Sequence, residues 1–391
     1  ANQTPQPPRP RTLFLLSNPI VQWVPITNII SSPTAQALAL ITLVLALAIS
    51  LTVNKSEKTM PAKTKENAAT TATSKPKLQN PNFVVGSFKN SRSQSLFTLN
   101  LPPKDASYSP KAMLFLVHGV GEHCCRTGYI GLYESLSEAG IDVYSLDHHG
   151  HGRSEGEPKG YVEKFDHYVS DLLDYIQHCQ KKYTSKGGPS PPLVLMGQSM
   201  GGLVSVLAAL RLGSYHVGGV ILTSAALGVD MNLELKVQKL FAPAINFFLP
   251  KANIVDAVRP KDLSRNPDAV QSYIDDPLCI KGKLVARTAI QISKAFDTAK
   301  KRRGELTCPI LMLHGADDHC TSINAACDFF RNVGSHQKRF LQLPGMYHEL
   351  FEEPEVDQLM VSIAGFASSG GKEFARIDGE EKDGLVNVAF N

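Results

Sequence analysis

Residues 193–212 constrain the fold of this chain more than any other stretch. The apolar run Leu193–Met196 leads into Gly197-Gln198-Ser199-Met200-Gly201-Gly202, and from Leu203 to Leu212 apolar residues recur at helical spacing. A Gly-x-Ser-x-Gly pentapeptide set directly between a strand and a helix requires a sharp turn. Glycines are needed there because side chains would clash, and the serine is held in strained backbone with its hydroxyl presented outward. Taken alone, the pentapeptide also fits a glycine-rich turn with an incidental serine. The strand before it and the helix after it favour a nucleophile at Ser199.

The rest of the chain carries the same alternation. Val84–Phe88 and Ser95–Leu101 read as an opening hairpin. Short apolar runs follow at Met113–Val117, Ile141–Leu146, Val217–Thr223, Pro309–His314 and Arg339–Leu343. Between them, Tyr129–Ala139 and Phe165–Lys182 are amphipathic at helical period. This order predicts an α/β fold, a mostly parallel central sheet with helices on both faces. Sites in such sheets lie beyond the C-terminal strand ends, so the loops after the strands hold the candidates.

A serine hydroxyl needs a base, and the base needs an orienting carboxylate. Past Pro309–His314 the chain reads Gly315-Ala316-Asp317-Asp318-His319, and past Arg339–Leu343 it reads Pro344-Gly345-Met346-Tyr347-His348-Glu349. The order Ser, Asp, His suits the turn at Ser199. His348 is the expected base, with His319, His314 and His118 as structural or loop histidines. The acid is Asp317 or Asp318. Asp318 is preferred because one more loop residue helps the chain turn back toward the imidazole. Two backbone amides must hold the oxyanion. Met200, after the nucleophile, is one. Val120 in His118-Gly119-Val120-Gly121-Glu122-His123 is the other, although H-G-x-G also fits an ordinary tight turn.

Outside this core the composition changes. Between Arg11 and Lys55 there is no Asp, Glu, Lys or Arg, and residues 37–53 are almost wholly apolar. As a helix those residues would extend about 25 Å, near the ~30 Å hydrocarbon thickness. Residues 1–36 are expected to form a charge-poor arm, 37–53 a transmembrane helix and 54–82 a flexible linker. The lysines from Lys55 onward place the following domain on the cytoplasmic or equivalent side. A removable targeting segment and a buried core helix are the competing readings of 37–53. The folded domain is expected over 83–368, with a cap at about 226–307 and a polar tail over 369–391. Within the cap, Leu240, Phe241, Phe247, Phe248 and Leu249 form an apolar helical face that either packs on the core or docks on a bilayer. A net charge of +4 over 391 residues gives no case for a nucleic-acid partner. Seven cysteines with no C-x-x-C pair argue against a disulfide framework or a structural zinc site.

The stretches HGVGEH at His118, DHHGHGRSEG at Asp147, GQSMGG at Gly197, LSRNPDAVQSYIDDPL at Leu263, HGADD at His314 and PGMYHEL at Pro344 resemble the monoacylglycerol lipase (lysophospholipase-like) family of α/β-hydrolases. The resemblance covers nearly all of residues 83–368. It implies the α/β-hydrolase fold with a helical cap over the active site, the triad Ser199, Asp318 and His348, and oxyanion donors at Val120 and Met200. It also implies that Glu122 and His123 position the glycerol end of the substrate, and that no metal or organic cofactor is used. Gln198 departs from the histidine common in relatives. The N-terminal arm, linker and C-terminal tail lie outside the pattern. The expected activity is hydrolysis of a monoacylglycerol at a membrane, with a lysophospholipid or another acyl ester as alternative substrate and acyl transfer as alternative reaction. A reading from another class is a catalytically silent accessory subunit that docks to a membrane-protein partner through the N-terminal arm. Such a relic would have lost a triad residue or a glycine, and this chain keeps them all.

Overall fold

A computed structural model of the chain describes residues 78–389 apart from 106, 108, 186, 230–243, 245, 257, 376–378 and 383. The arm, the 37–53 segment, nearly all of the linker, and Leu240 and Phe241 therefore lie outside the described residues. Among the described residues no helix is long and apolar enough to cross a membrane.

The chain opens with β1 (Val84–Lys89) and β2 (Ser95–Leu101), an antiparallel pair. It then alternates β3 (Ala112–Val117), α1 (Thr127–Glu138), β4 (Ile141–Leu146), α2 (Asp166–Thr184), β5 (Leu193–Gln198), α3 (Met200–Leu212) and β6 (Gly219–Thr223). The cap region holds β7 (Asn253–Asp256), α4 (Pro267–Asp275), β8 (Lys283–Val285) and α5 (Ala286–Arg302). After it come β9 (Ile310–Gly315), α6 (Ile323–Asn332), β10 (Lys338–Leu343), α7 (Val356–Ser368), β11 (Gly379–Lys382) and β12 (Leu385–Val388). Ten of these strands form one sheet in the order β1-β2-β4-β3-β5-β6-β9-β10-β12-β11. Every pairing from β4 through to β12 is parallel.

The strand pleat explains why the central strands are continuous apolar runs. In β3, Met113, Phe115 and Val117 enter one core and Ala112, Leu114 and Leu116 the other. Helices α2, α3, α5 and α6 cover the first face; α1 and α7 cover the second. A strand buried on both faces has no polar side to show, so its hydrophobicity does not alternate. Each fully buried large side chain contributes about 1.5–3 kcal/mol, which fixes the register of the strand ends that carry the site.

Two boundaries differ from the sequence reading. Residues 369–391 are not wholly a polar tail, because β12 pairs in parallel with β10, Phe340 opposite Leu385, and β11 closes that edge. The alternation Leu385-Val386-Asn387-Val388 buries Val386 and Val388, while Gly379–Lys382 places charge on the outermost strand. Four alternating residues in a Gly-rich, polar context give too short a signal to stand out. The second difference concerns the cap. Helix α5 places Ala295 and Ala299 in the same core as α2 and α3, so it covers the sheet and is not part of a lid reaching to 307. The cap region also contains the antiparallel ribbon β7–β8, which the sequence reading missed.

Candidate active site

Ser199 sits between β5 and α3 with φ 54° and ψ −121°, a left-handed conformation strained for a non-glycine residue. The surroundings explain why glycine flanks it. A Cβ at Gly197 would collide with the Gly201 carbonyl, and one at Gly201 with the carbonyl oxygen of Val117. At Gly202 a Cβ would crowd the Ala225 side chain. The turn is further held by Ser199 N–H donating to Thr223 O at 3.0 Å and by Ser199 O accepting from Ala226 N–H at 2.9 Å. Met200 opens α3, so its amide is among the first four that lack an intrahelical acceptor.

The loop after β3 approaches the same point. A Cβ at Gly119 would lie 3.0 Å from Ser199 Cβ and 3.0 Å from Glu122 Oε1, so the serine and the Glu122 carboxylate flank one glycine. The amide of Val120 belongs to the peptide whose carbonyl is that of Gly119. His118 Nδ1–H donates to that carbonyl at 2.8 Å, and His118 Nε2 accepts from His148 N–H at 3.0 Å. In a trans peptide C=O and N–H point opposite ways, so His118 turns the Val120 N–H away from itself.

His118, His148 and His151 are buried together, with ring centroids 4.5 Å apart for His118–His148 and 5.5 Å for His118–His151. Burial keeps all three below the ordinary histidine pKa, and His151 is pulled down to about 4. In the unfolded chain each takes up a proton near pH 6.5; in the fold each stays neutral. Their effect on stability is therefore absent above about pH 6.5 and becomes a loss as pH falls from there toward 4. For His151 alone the loss is of order 3 kcal/mol. Urea unfolding at pH 7 and pH 4.5 should show it, and His151→Asn should flatten the difference.

Asp318 and His348 stand on the loops after β9 and β10. His348 Nδ1–H donates to Asp318 Oδ2 at 2.9 Å. The same carboxylate accepts from Thr321 Oγ1 at 2.6 Å, Cys320 N at 2.7 Å and Thr321 N at 3.0 Å, with His314 Nε2 at 3.2 Å. Burial alone would raise the Asp318 pKa, but the His348 and His314 imidazoles overcome it and hold the carboxyl far below the usual range. Burial likewise disfavours charge on His348, and the charge and hydrogen bond of Asp318 outweigh it, so its pKa is raised. Asp317 is exposed. Gln198 lies on the nucleophile turn, and its Nε2–H donates to the His348 carbonyl at 2.9 Å. The Gln198 amide thus ties the turn at Ser199 to the loop that carries His348.

The two residues expected at the glycerol end part company. Glu122 is buried beside Ser199 and accepts from Tyr129 OH at 2.6 Å. His123 turns to the cap instead, with Nε2 2.8 Å from Asp276 Oδ2. Burial would depress its pKa, but the Asp276 hydrogen bond helps hold it well above the ordinary value.

Sequence reasoning missed a third group. A small, partly open cleft is lined by Glu122, Arg126, Tyr129, Gln198, Glu349 and Glu352, among others. Arg126 Nη2 lies 3.3 Å from Glu349 Oε2. Arg126 Nη1, Gln198 Oε1, Glu349 Oε1 and Glu352 Oε1 are buried there without a hydrogen-bond partner. Burial and the Glu122 carboxylate push Glu349 up to about 7 against the pull of Arg126. The available signals were Arg126, four residues after Glu122, and Glu349, directly after His348.

Two trios among the described residues bring cation-ligand atoms within 4.8 Å: His123, Asp276, Cys279 and Asp318, Cys320, His348. In each, an imidazole nitrogen lies within hydrogen-bonding distance of the carboxylate, 2.8 Å for His123 and Asp276 and 2.9 Å for His348 and Asp318.

The chain matches the family model described as serine aminopeptidase, S33, over residues 108–355. It is 34% identical to monoglyceride lipase of Rattus norvegicus over 268 residues, 68% of this chain and 84% of the rat protein. It is 30% identical to monoacylglycerol lipase of Mycolicibacterium smegmatis, covering 66% of this chain and 89% of that protein. The crystal structure of Paleococcus ferrophilus monoacylglycerol lipase superposes with a TM-score of 0.60 at 27% identity, covering 70% of this chain and 99% of that one.

Proposed function

Since the chain belongs to the monoacylglycerol lipase family of α/β-hydrolases and is a serine carboxylic ester hydrolase, we propose that it cleaves monoacylglycerols at a membrane surface. In this reading His348 Nε2 takes the Ser199 hydroxyl proton as Oγ attacks the ester carbonyl. The Val120 and Met200 amides receive the oxyanion, and His348 returns the proton to the departing glycerol. Water then attacks the acyl-enzyme by the same route. Asp318 remains ionised throughout and holds the imidazole in the tautomer that leaves Nε2 free to accept.

The observation that carries this reading is the 2.9 Å contact of Asp318 with His348, on the loops after two adjacent strands of the sheet whose β5 leads into Ser199. The Glu122 carboxylate, which flanks Gly119 opposite Ser199, supports a hydroxylated leaving group, because it can accept from a hydroxyl. The base must be neutral to act, and its pKa is raised. The acid limb of kcat/KM should therefore lie above 6.5. The defining test is product analysis, fatty acid plus glycerol from a monoacylglycerol with a lysophospholipid in parallel. Exclusive turnover of the lysophospholipid would replace this substrate class with the alternative.

Membrane association rests on the cap and the N-terminal segment. Phe247, Phe248 and Leu249 are 78%, 66% and 42% exposed, an apolar edge with Lys251 close behind in sequence. Residues 37–53 supply an anchor in the same reading. Replacing Phe247 and Phe248 with serine should lower turnover of monoacylglycerol in anionic vesicles about 10-fold. The same variant should leave turnover of a soluble short-chain ester within about twofold.

A further inference from the structure

The cap segment 262–266 lies across the two loops that carry the acid and the base. At one end, Cys320 Sγ of the Asp318 loop contacts Asp262 O at 3.5 Å. Next, Leu263 O accepts from Glu349 N–H at 2.7 Å. Ser264 Oγ and Asn266 Nδ2 each reach Glu352 O at 3.4 Å. Arg265 makes the strongest attachments: its N–H donates to Glu353 Oε1 at 3.0 Å, its Nε to Glu353 Oε2 at 2.5 Å and its Nη2 to Glu355 Oε2 at 2.5 Å. The Glu353 side chain is fully buried, so Arg265 answers a charge that water cannot reach.

The peptide between His348 and Glu349 shows what this strapping does. Its carbonyl accepts from Gln198 on the nucleophile turn, and its N–H donates to Leu263 of the cap. The base is thus suspended between the element that carries the nucleophile and the cap. We propose that residues 262–266 are a strap that sets the position of His348 relative to Asp318, with Arg265 as its positioning residue. The proposal rests on the triad reading above. It implies that this limb of the cap stays seated during turnover.

The test uses the full chain and two readouts. One is kcat and KM on a soluble monoacylglycerol across pH; the other is the rate at which a small fluorophosphonate labels Ser199. Arg265→Met should lower kcat about 10- to 100-fold with KM nearly unchanged, since misplacing a reacting group by about 1 Å has an effect of that size. Labelling should slow in parallel. The acid limb should move down toward 6.5 as the Asp318 contact loosens, while the other groups acting on His348, Glu122 and Glu349, remain. Arg265→Lys should recover part of the rate, and Glu353→Gln added to Arg265→Met should make it no worse. Unchanged kcat, labelling rate and acid limb in a folded Arg265→Met would overturn the strap, as would a raised KM at constant kcat. Absence of labelling in the wild type would instead remove the triad reading on which the strap depends.

Discussion

Asp318→Asn should lower kcat on a monoacylglycerol by about 10⁴-fold, whereas Asp317→Asn, one residue away, should leave it within about twofold. The contrast follows from what each carboxylate touches. Asp318 accepts from the His348 Nδ1–H and is held by Thr321, Cys320 and His314. Asparagine there can present its NH₂ to the imidazole, which turns the ring to the wrong tautomer and leaves Nε2 protonated and unable to accept. Asp317 is exposed, and its backbone amide, which donates to Met346 O at 3.1 Å, survives the substitution. Steady-state kinetics on both variants decides the matter. Equal losses would mean that the loop, and not the Asp318 carboxylate, is what the base requires.

Gly201→Ala should be among the most damaging single-methyl additions in the chain. The new Cβ would meet the Val117 carbonyl oxygen, with Val117 C at 2.6 Å and His118 O at 2.7 Å, all of them main-chain atoms of the strand end that leads into the oxyanion loop. Backbone cannot swing aside as a flexible side chain does. Either α3 lifts away from β3, moving Ser199 and the Met200 amide, or the strand end shifts and carries Val120 with it. In the proposed mechanism both displace the nucleophile relative to the oxyanion donors. The expected result is destabilisation of about 4 kcal/mol or more, or failure to accumulate as folded protein. Any folded fraction should label with fluorophosphonate at least about 100-fold more slowly. Thermal unfolding together with labelling separates the two effects. Gly188, whose Cβ would meet nothing within 4 Å, is the control and should tolerate alanine.

What was legible in the sequence is what neighbouring residues dictate. The strands declare themselves as apolar runs, because burial on both faces leaves no polar side. Gly197 reads as part of a tight turn because the clash it avoids, with Gly201, lies within one strand–turn–helix unit, whereas Gly201 and Gly202 answer to Val117 and Ala225 on neighbouring strands and loops. The long-range ties were not legible. His123 reaches Asp276 across 153 positions, and Arg265 reaches Glu353 across 88. Nothing near His123 in the chain says whether its ring faces substrate or cap. Glu349 reads as an ordinary polar loop residue until the fold sets it against Arg126 and Glu122. The strand Leu385–Val388 fails for another reason: its pairing strand, β10, supplies most of what makes four residues a strand.

In the proposed mechanism Ser199 carries the acyl group of a monoacylglycerol between two half-reactions. Rapid acid quench of the 391-residue chain with a monoacylglycerol, followed by mass analysis of the peptide containing Ser199, tests it most directly. The expected result is an increment equal to one acyl group on Ser199 in the wild type, with neither adduct nor product in Ser199→Ala. Monoacylglycerol hydrolysis persisting in Ser199→Ala at the wild-type rate, or an acyl group found on another residue, would contradict it.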